Sequence, residues 1–154
     1  MRRAAFFTVV LALAVTALAY AQAKPDYSGT WTLDASRSEM GGPGGGGGGR
    51  GGPGGPMTVK QTGTELVRET TRGDQTMATT YKLDGTETTN QMGPMTSKST
   101  ARWEGDKLVI KTARETPNGT METTETWSLG AAGKELTIVS SSPRGERKAV
   151  YTKQ

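Results

Sequence analysis

The sequence contains no cysteine and no histidine among its 154 residues. Without cysteine there is no disulfide, no thiol nucleophile and no lipid-modified cysteine. Without histidine the chain lacks the commonest general base and the commonest transition-metal ligand. Ser-His-Asp, Cys-His and zinc chemistry are therefore excluded, and we expect no catalytic residue, no metal site and no cofactor.

Aromatic side chains are also scarce. The sequence has three tryptophans, four tyrosines and two phenylalanines, and both phenylalanines lie within its first ten residues. The rest of the chain must build its core from Trp31, Trp103, Trp127 and a thin set of tyrosine, aliphatic and methionine side chains. We expect a core that is small for the chain length.

The amino terminus has the pattern of a secretory signal. Arg2 and Arg3 precede the apolar run 4–19, and small residues follow in two overlapping A-x-A patterns that end at Ala21 and Ala23. A retained anchor is the alternative, but the run is short and no basic cluster follows it. We predict a signal peptide over 1–23, cleaved after Ala21 or Ala23, with the Sec route favoured over the twin-arginine route.

The expected mature chain, 24–154, has the length of one domain and is periplasmic or secreted. No later segment is apolar and long enough to span a bilayer, so we expect no stable membrane insertion after cleavage. Setting Arg2 and Arg3 aside leaves 17 basic and 15 acidic residues. These charges are scattered among one another, which argues against a nucleic-acid partner.

A glycine- and proline-rich segment interrupts this domain over 41–56, with Arg50 as its one charge. Glycine loses the most backbone freedom on ordering, and nothing here buries apolar surface in return, so we predict a disordered loop. Phosphate or RNA binding through this segment is disfavoured, because the helix of a phosphate loop and the repeats of an arginine-glycine tract are both missing.

The remaining sequence alternates between short strands and turns. Turn residues recur about every ten positions, and Asp84-Gly85 and Asn118-Gly119 supply the positive φ values of tight hairpins. We predict an all-β fold, an up-and-down antiparallel meander of about 8–10 strands that closes into a barrel. The predicted strands are 28–34, 57–62, 65–72, 75–83, 86–91, 97–104, 107–115, 120–129, 135–141 and 146–153.

The opening of the mature chain, Ser28-Gly29-Thr30-Trp31-Thr32-Leu33-Asp34, resembles the first motif of lipocalins and related calycins. The chain as a whole is similar to small exported bacterial proteins of lipocalin-like type. The resemblance implies a lipocalin-like barrel in which Gly29 and Trp31 form a structural motif at the barrel floor. It also implies a basic side chain packed on Trp31, for which Arg147 is the candidate and Arg144 the reserve.

Two departures from related families accompany this resemblance. The T-D-Y motif of lipocalins is absent, and the last strand carries Ala149-Val150-Tyr151 where fatty-acid-binding relatives carry R-x-Y. The arginine that would hold a fatty-acid carboxylate is thus missing from that motif.

Strand alternation also places polar residues inside the expected barrel. If Trp127 points inward then Glu125 does too, and a buried carboxylate needs a cation or water. Arg68 is a candidate partner. Alternatively, Glu125 lies at an open rim, or a bulge turns it to solvent. We predict a set of ligand-binding residues: Arg68, Tyr81, Trp103, Glu125 and Trp127.

These patterns favour a non-catalytic binding protein. The scattered acidic residues show no convergence of the kind that a glycosidase needs, so we do not expect an enzyme. We expect a monomeric exported protein that binds a small molecule in the barrel. The alternative is an envelope structural or interaction protein with a barrel filled by its own side chains and no small-molecule ligand.

Overall fold

The computed structural model describes residues 23–39 and 56–154 of the chain. The predicted signal peptide, apart from Ala23, and the predicted glycine-rich loop, apart from Pro56, lie outside these residues. The described part contains ten strands and one short 3-10 turn, η1. They are β1 (Gly29–Leu33), β2 (Met57–Gln61), β3 (Glu65–Arg72), β4 (Gln75–Lys82), β5 (Thr88–Met92), β6 (Met95–Glu104), β7 (Lys107–Thr116), β8 (Gly119–Leu129), η1 (Ala131–Gly133), β9 (Glu135–Ser142) and β10 (Gly145–Lys153).

All ten strands belong to one antiparallel sheet with the order β4-β3-β2-β1-β10-β9-β8-β7-β6-β5. Sequence neighbours are sheet neighbours except at two places: the first and last strands pair, and β4 does not pair with β5. The sheet therefore curls into a nearly closed barrel. The prediction of an all-β meander is confirmed, and every strand end lies within two residues of its predicted position.

Residue alternation decides which side chains face the barrel interior. On β4, Thr79 and Tyr81 are buried while Ala78 and Lys82 are exposed. On β6, Ser97, Ser99 and Ala101 are buried, whereas Thr96, Lys98 and Arg102 are exposed. This period of two is what a sheet with one wet face requires.

The barrel is closed between β4 and β5 by side chains. Asn90 Nδ2 donates to Thr80 O at 2.9 Å, and Asn90 Oδ1 accepts from Thr80 N at 2.9 Å. Nearby, Thr88 Oγ1 accepts from Lys82 N at 3.3 Å. An amide side chain thus takes the place of the backbone partner that Thr80 would have in a continuous sheet. We call this side-chain closure the seam.

The two ends of the barrel differ in polarity. The end at which the chain enters β1 is packed with large side chains whose exposed fractions are at most 1%. We call it the apolar half, and its fillers are Tyr27, Trp31, Val59, Leu66, Leu108, Ile110, Trp127, Leu136, Ile138 and Tyr151. The opposite end carries mostly hydroxyl and charged side chains on its inward positions.

The segment before β1 closes the apolar half. Tyr27 has no exposed surface; its hydroxyl donates to Trp127 O at 2.8 Å, and its carbonyl accepts from Trp31 Nε1 at 2.9 Å. Its ring stacks on Trp103, with centroids 5.9 Å apart, and meets Trp127 edge-on at 5.7 Å. One tyrosine therefore joins all three tryptophans of the protein. No helix among the described residues is long and apolar enough to cross a membrane.

Candidate functional site

Glu125 faces the interior of the barrel. The register between β7 and β8 is continuous, pairing Leu108 with Trp127 and Ile110 with Glu125. No bulge interrupts it, so Glu125 lies on the same face as the buried Trp127. Of the alternatives open from the sequence, the inward placement is the one observed.

Arg68 is the partner of Glu125. Arg68 Nη1 donates to Glu125 Oε2 at 2.9 Å, and Trp127 Nε1 donates to the same oxygen at 3.0 Å. The guanidinium lies 5.6 Å from the ring centroid of Tyr81 and 5.6 Å from that of Trp127. The structure therefore brings together four of the five predicted ligand-binding residues, Arg68, Tyr81, Glu125 and Trp127, at the boundary between the two halves of the barrel.

Solvent reaches this ion pair even though it lies inside the barrel. The exposed fractions of the two side chains are 21% for Arg68 and 19% for Glu125. The side chains of the apolar half next to them, such as Trp127 and Ile110, have none. The exposed surface of this cluster therefore belongs to the ion pair and not to the apolar side chains beside it.

The charges of the cluster act on one another through this interior. Desolvation, the largest influence, would by itself lower the pKa of Arg68, but the Glu125 carboxylate together with Tyr81 and Tyr151 outweighs it and raises that pKa above its ordinary value. Burial raises the pKa of Tyr81 to about 12, against the opposing influence of Arg68 and, more weakly, Arg114. Arg68 and Tyr81 therefore stay in one protonation state over the physiological range.

Hydroxyl groups lie on the inward face beyond the ion pair. Ser99 Oγ and Thr112 Oγ1 are 2.9 Å apart and hydrogen-bonded. Thr123 is the partner of Thr112 on β8, and Ser140 is the partner of Glu125 on β9. We define the polar half of the barrel by its inward-facing positions. They include Met57, Arg68, Thr70, Met77, Thr79, Thr88, Asn90, Met95, Ser97, Ser99, Thr112, Arg114, Met121, Thr123, Glu125, Ser140 and Arg147.

Trp103, the fifth predicted ligand-binding residue, lies away from this cluster. It is stacked on Tyr27 in the apolar half, and Lys24 Nζ lies 5.5 Å from the centroid of its ring. It lines a separate surface depression of about 310 Å³ beside Lys24 and Leu83. A second depression, of about 420 Å³, lies on the outer face of β9 and β10 near Arg37 and Lys148. Trp103 is thus separated from the site that was predicted to include it.

The expectation that Arg147 packs on Trp31 is wrong. The β1–β10 register pairs Trp31 with Lys153, whose Nζ lies 5.4 Å from the centroid of the indole ring. Arg147 is six residues earlier on β10, pairs with Ser140 and is exposed, and the reserve residue Arg144 lies in the turn before β10. The sequence contained a basic residue at the right end of the last strand, but the register was needed to identify it.

Gly29 fits this arrangement. Its φ is +138°, and a methyl group in place of its hydrogen would lie 2.5 Å from Lys153 Cε. Lys153 can cross the indole of Trp31 because position 29 has no side chain. The G-x-W motif therefore has a steric explanation in this structure.

The comparisons with known proteins agree with this architecture. No family model and no curated protein matches the chain. Among solved structures, a secretory abundant heat soluble protein from Ramazzottius varieornatus has a TM-score of 0.60 at 17% identity, over 83% of this chain and 95% of that chain. Lipid binding protein 8 of Caenorhabditis elegans has a TM-score of 0.60 at 13% identity, over 83% of this chain and 95% of that one.

A third solved structure, described as the REP1-NXSQ fatty acid transporter, has a TM-score of 0.59 at 13% identity, over 82% of this chain and 95% of that chain. At such identities the likeness is one of fold. The fold is a nearly closed, antiparallel β-barrel, which is consistent with the lipocalin-like or calycin type. Bacterial origin and export remain predictions.

Proposed function

We propose that this protein is an exported, non-catalytic binding protein that takes up a small molecule in the polar half of its barrel. The Arg68–Glu125 ion pair carries the proposal. An ion pair inside a protein loses hydration and is often no more stabilising than an apolar pair of the same volume. Its presence on an inward face that solvent reaches fits a site that exchanges water for a polar ligand.

The fold neighbours support the same function by analogy. Two of them are described as a fatty acid transporter and a lipid binding protein. A barrel of this kind holds its ligand inside, among side chains of several strands. Because fold does not determine function, the analogy supports a binding role for this chain without naming its ligand.

Native mass spectrometry tests the proposal directly. Protein recovered from the periplasm or medium of producing cells should carry an additional mass that is lost on denaturation. A double variant, Arg68→Met with Glu125→Leu, removes the polar cluster while keeping similar volumes, and it should fold but carry no additional mass. A folded protein without any bound molecule, in both the natural chain and the variant, would contradict the binding function.

Such a result would favour the alternative, a structural or interaction protein. The packing of the apolar half is the observation that favours it, since its largest side chains have at most 1% exposure and leave no room there for a ligand. The same preparation tests export. Its amino-terminal residue should be Gln22 or Lys24, whereas a chain that begins at Met1 would contradict the proposed location.

A further inference from the structure

The inward face of the barrel is unevenly charged. Among the strands that the structure describes, Glu125 is the one acidic residue on that face. The other acidic residues of these strands occupy the alternate positions, which face outward. Arg68, Arg114 and Arg147 all occupy inward positions in the polar half. Among the side chains that the structure describes, the inward face of the polar half therefore carries three arginines and one glutamate.

Arg114 belongs to the same interior space as the ion pair. It lies on β7 between Ser97 of β6 and Met121 of β8, on the face that carries Ile110. Its charge influences the Tyr81 hydroxyl, as that of Arg68 does. A second guanidinium thus acts on the boundary between the two halves from the opposite side of the barrel.

Arg147 lies close to Glu125 through the sheet. Ser140 is paired with Arg147 on one side and with Glu125 on the other. Neighbouring strands are about 4.8 Å apart, so the backbones at positions 147 and 125 are about 10 Å apart. Glu125 already accepts from Arg68 and Trp127, and Arg147 remains exposed toward the open end.

The polar half offers little surface to a hydrocarbon chain. Its inward-facing apolar side chains are unbranched methionines, Met77 and Met121 together with the buried Met57 and the exposed Met95, and hydroxyl groups such as Ser99, Thr112 and Thr123 occupy the positions around them. The apolar half, where an alkyl chain would gain about 0.8 kcal/mol per buried CH₂, is filled by the protein's own side chains. A long-chain fatty acid would have to lie against hydroxyl groups.

From this charge and lining we infer that the ligand is a small hydrophilic anion, a carboxylate or phosphate that also bears hydroxyl groups. Arg114 and Arg147 provide the positive charge for its acidic group, and the serine and threonine hydroxyls bind its own hydroxyl groups. Arginine suits this task because its planar guanidinium forms paired hydrogen bonds with carboxylate and phosphate oxygens. The inference rests on the proposed binding function and specifies the ligand class.

Calorimetric titration of the mature protein with four probes tests the ligand class. The probes are gluconate, glycerol 3-phosphate, glucose and oleate. Gluconate or glycerol 3-phosphate should bind, and which of them binds decides between carboxylate and phosphate. Glucose lacks the charge and oleate lacks the hydroxyl groups, so neither should bind. Raising the salt concentration should weaken the binding of the anion.

Variants locate the binding within the barrel. Arg147→Gln, at an exposed position that tolerates substitution, should weaken binding of the anion at least tenfold, as should Arg114→Gln if it folds. Arg144→Gln removes the same charge from the outer turn and should change affinity less than twofold. Equal loss with Arg144→Gln, or no loss with Arg147→Gln, would overturn the site.

The failures are distinguishable. Binding of oleate or glucose without the anions overturns the ligand class and leaves the binding function standing. If none of the probes binds, the molecule found by native mass spectrometry decides: a hydrophilic anion supports the inference, and an apolar or neutral molecule overturns it. An empty protein that binds none of the probes overturns the ligand class and the binding function together.

Discussion

The side-chain amide of Asn90 holds the backbone of Thr80 from both sides, donating to its carbonyl and accepting from its amide, each at 2.9 Å. Asn90 is 8% exposed and lies on β5, whose other neighbour is β6. β4 and β5 are the two edge strands of the sheet, so these bonds join its two edges and close the barrel. Closure protects edges that would otherwise be open to other chains.

Asn90→Ala should therefore destabilise the barrel and open the seam. Two hydrogen bonds are lost, and the Thr80 N–H and C=O groups are left without these partners, which predicts a loss of about 1–3 kcal/mol. Urea unfolding measures the loss, and hydrogen exchange should accelerate most at the Thr80 amide. Gln91→Ala, on the outward-facing neighbour, is the control and should change little. Unaltered exchange at Thr80 in Asn90→Ala would show that the seam is held by other contacts.

Breaking the interior ion pair should cost more than replacing it. Glu125→Gln leaves the Arg68 charge without its carboxylate and should lower the free energy of unfolding by about 3 kcal/mol. This value is at the lower end of the range for breaking a buried ion pair, because about a fifth of each side chain is exposed. The double variant Arg68→Met with Glu125→Leu should be nearly as stable as the natural chain. Denaturant unfolding of the singles and the double measures the coupling. Strictly additive losses would contradict the pairing.

Alternation along strands predicted most of this architecture. A period of two placed Glu125 on the face of Trp127, so that an inward Glu125 paired with Arg68 was one of the alternatives open from the sequence, and the structure shows that pairing. Turn residues located the strand ends because Gly85 and Gly119 have the positive φ that hairpins demand. These features depend on residues close in sequence, and the sequence alone could therefore predict them.

The features missed by sequence analysis depend on contacts across the whole fold. Lys153 rather than Arg147 lies over Trp31 because the register of the first and last strands is determined by barrel closure. Asn90 has an ordinary strand pattern, and its function in the seam follows only from the identity of the edge strands. Tyr27 precedes the first strand, and its contacts with all three tryptophans had no local pattern to indicate them.

The G-x-W motif gives a third prediction, in which Lys153 replaces Arg147 as the partner of Trp31. Trp31→Ala should cost about 3–5 kcal/mol, as expected for truncation of a buried tryptophan. Lys153→Met should cost about 0.5–1 kcal/mol, the usual value for an exposed cation over a ring. A double-mutant cycle by urea unfolding should show coupling for Trp31 with Lys153 and none for Trp31 with Arg147. Coupling to Arg147 instead would contradict the observed register.

Gly29→Ala should be more damaging than its size suggests. The new methyl group would displace Lys153 from the indole, and alanine rarely adopts a φ of +138°. We expect a loss larger than that of Lys153→Met, because backbone strain adds to the lost contact. Gly63→Ala is the matched control, since a methyl group there meets nothing within 4 Å and the φ is not positive. Equal stability of the two alanine variants, measured by urea unfolding, would remove the steric explanation of the motif.

The buried tyrosines predict how the fold responds to alkali. Burial raises the pKa of Tyr27 and of Tyr81 to about 12, from 10 in the unfolded chain, and it also raises that of Tyr151. Between pH 10 and about pH 12 the tyrosines of the unfolded chain have lost protons that those of the folded chain retain, so the free energy of unfolding falls as the pH rises. The stability that these tyrosines contribute is fully present below pH 10. Above pH 10 the free energy of unfolding should fall by about 1.4 kcal/mol per pH unit for each of them.

Urea unfolding at several pH values measures this slope, and tyrosinate absorbance should appear together with unfolding. Tyr81→Phe should reduce the slope by about one third; tyrosinate absorbance that rises near pH 10 in the folded protein would contradict the burial of these side chains.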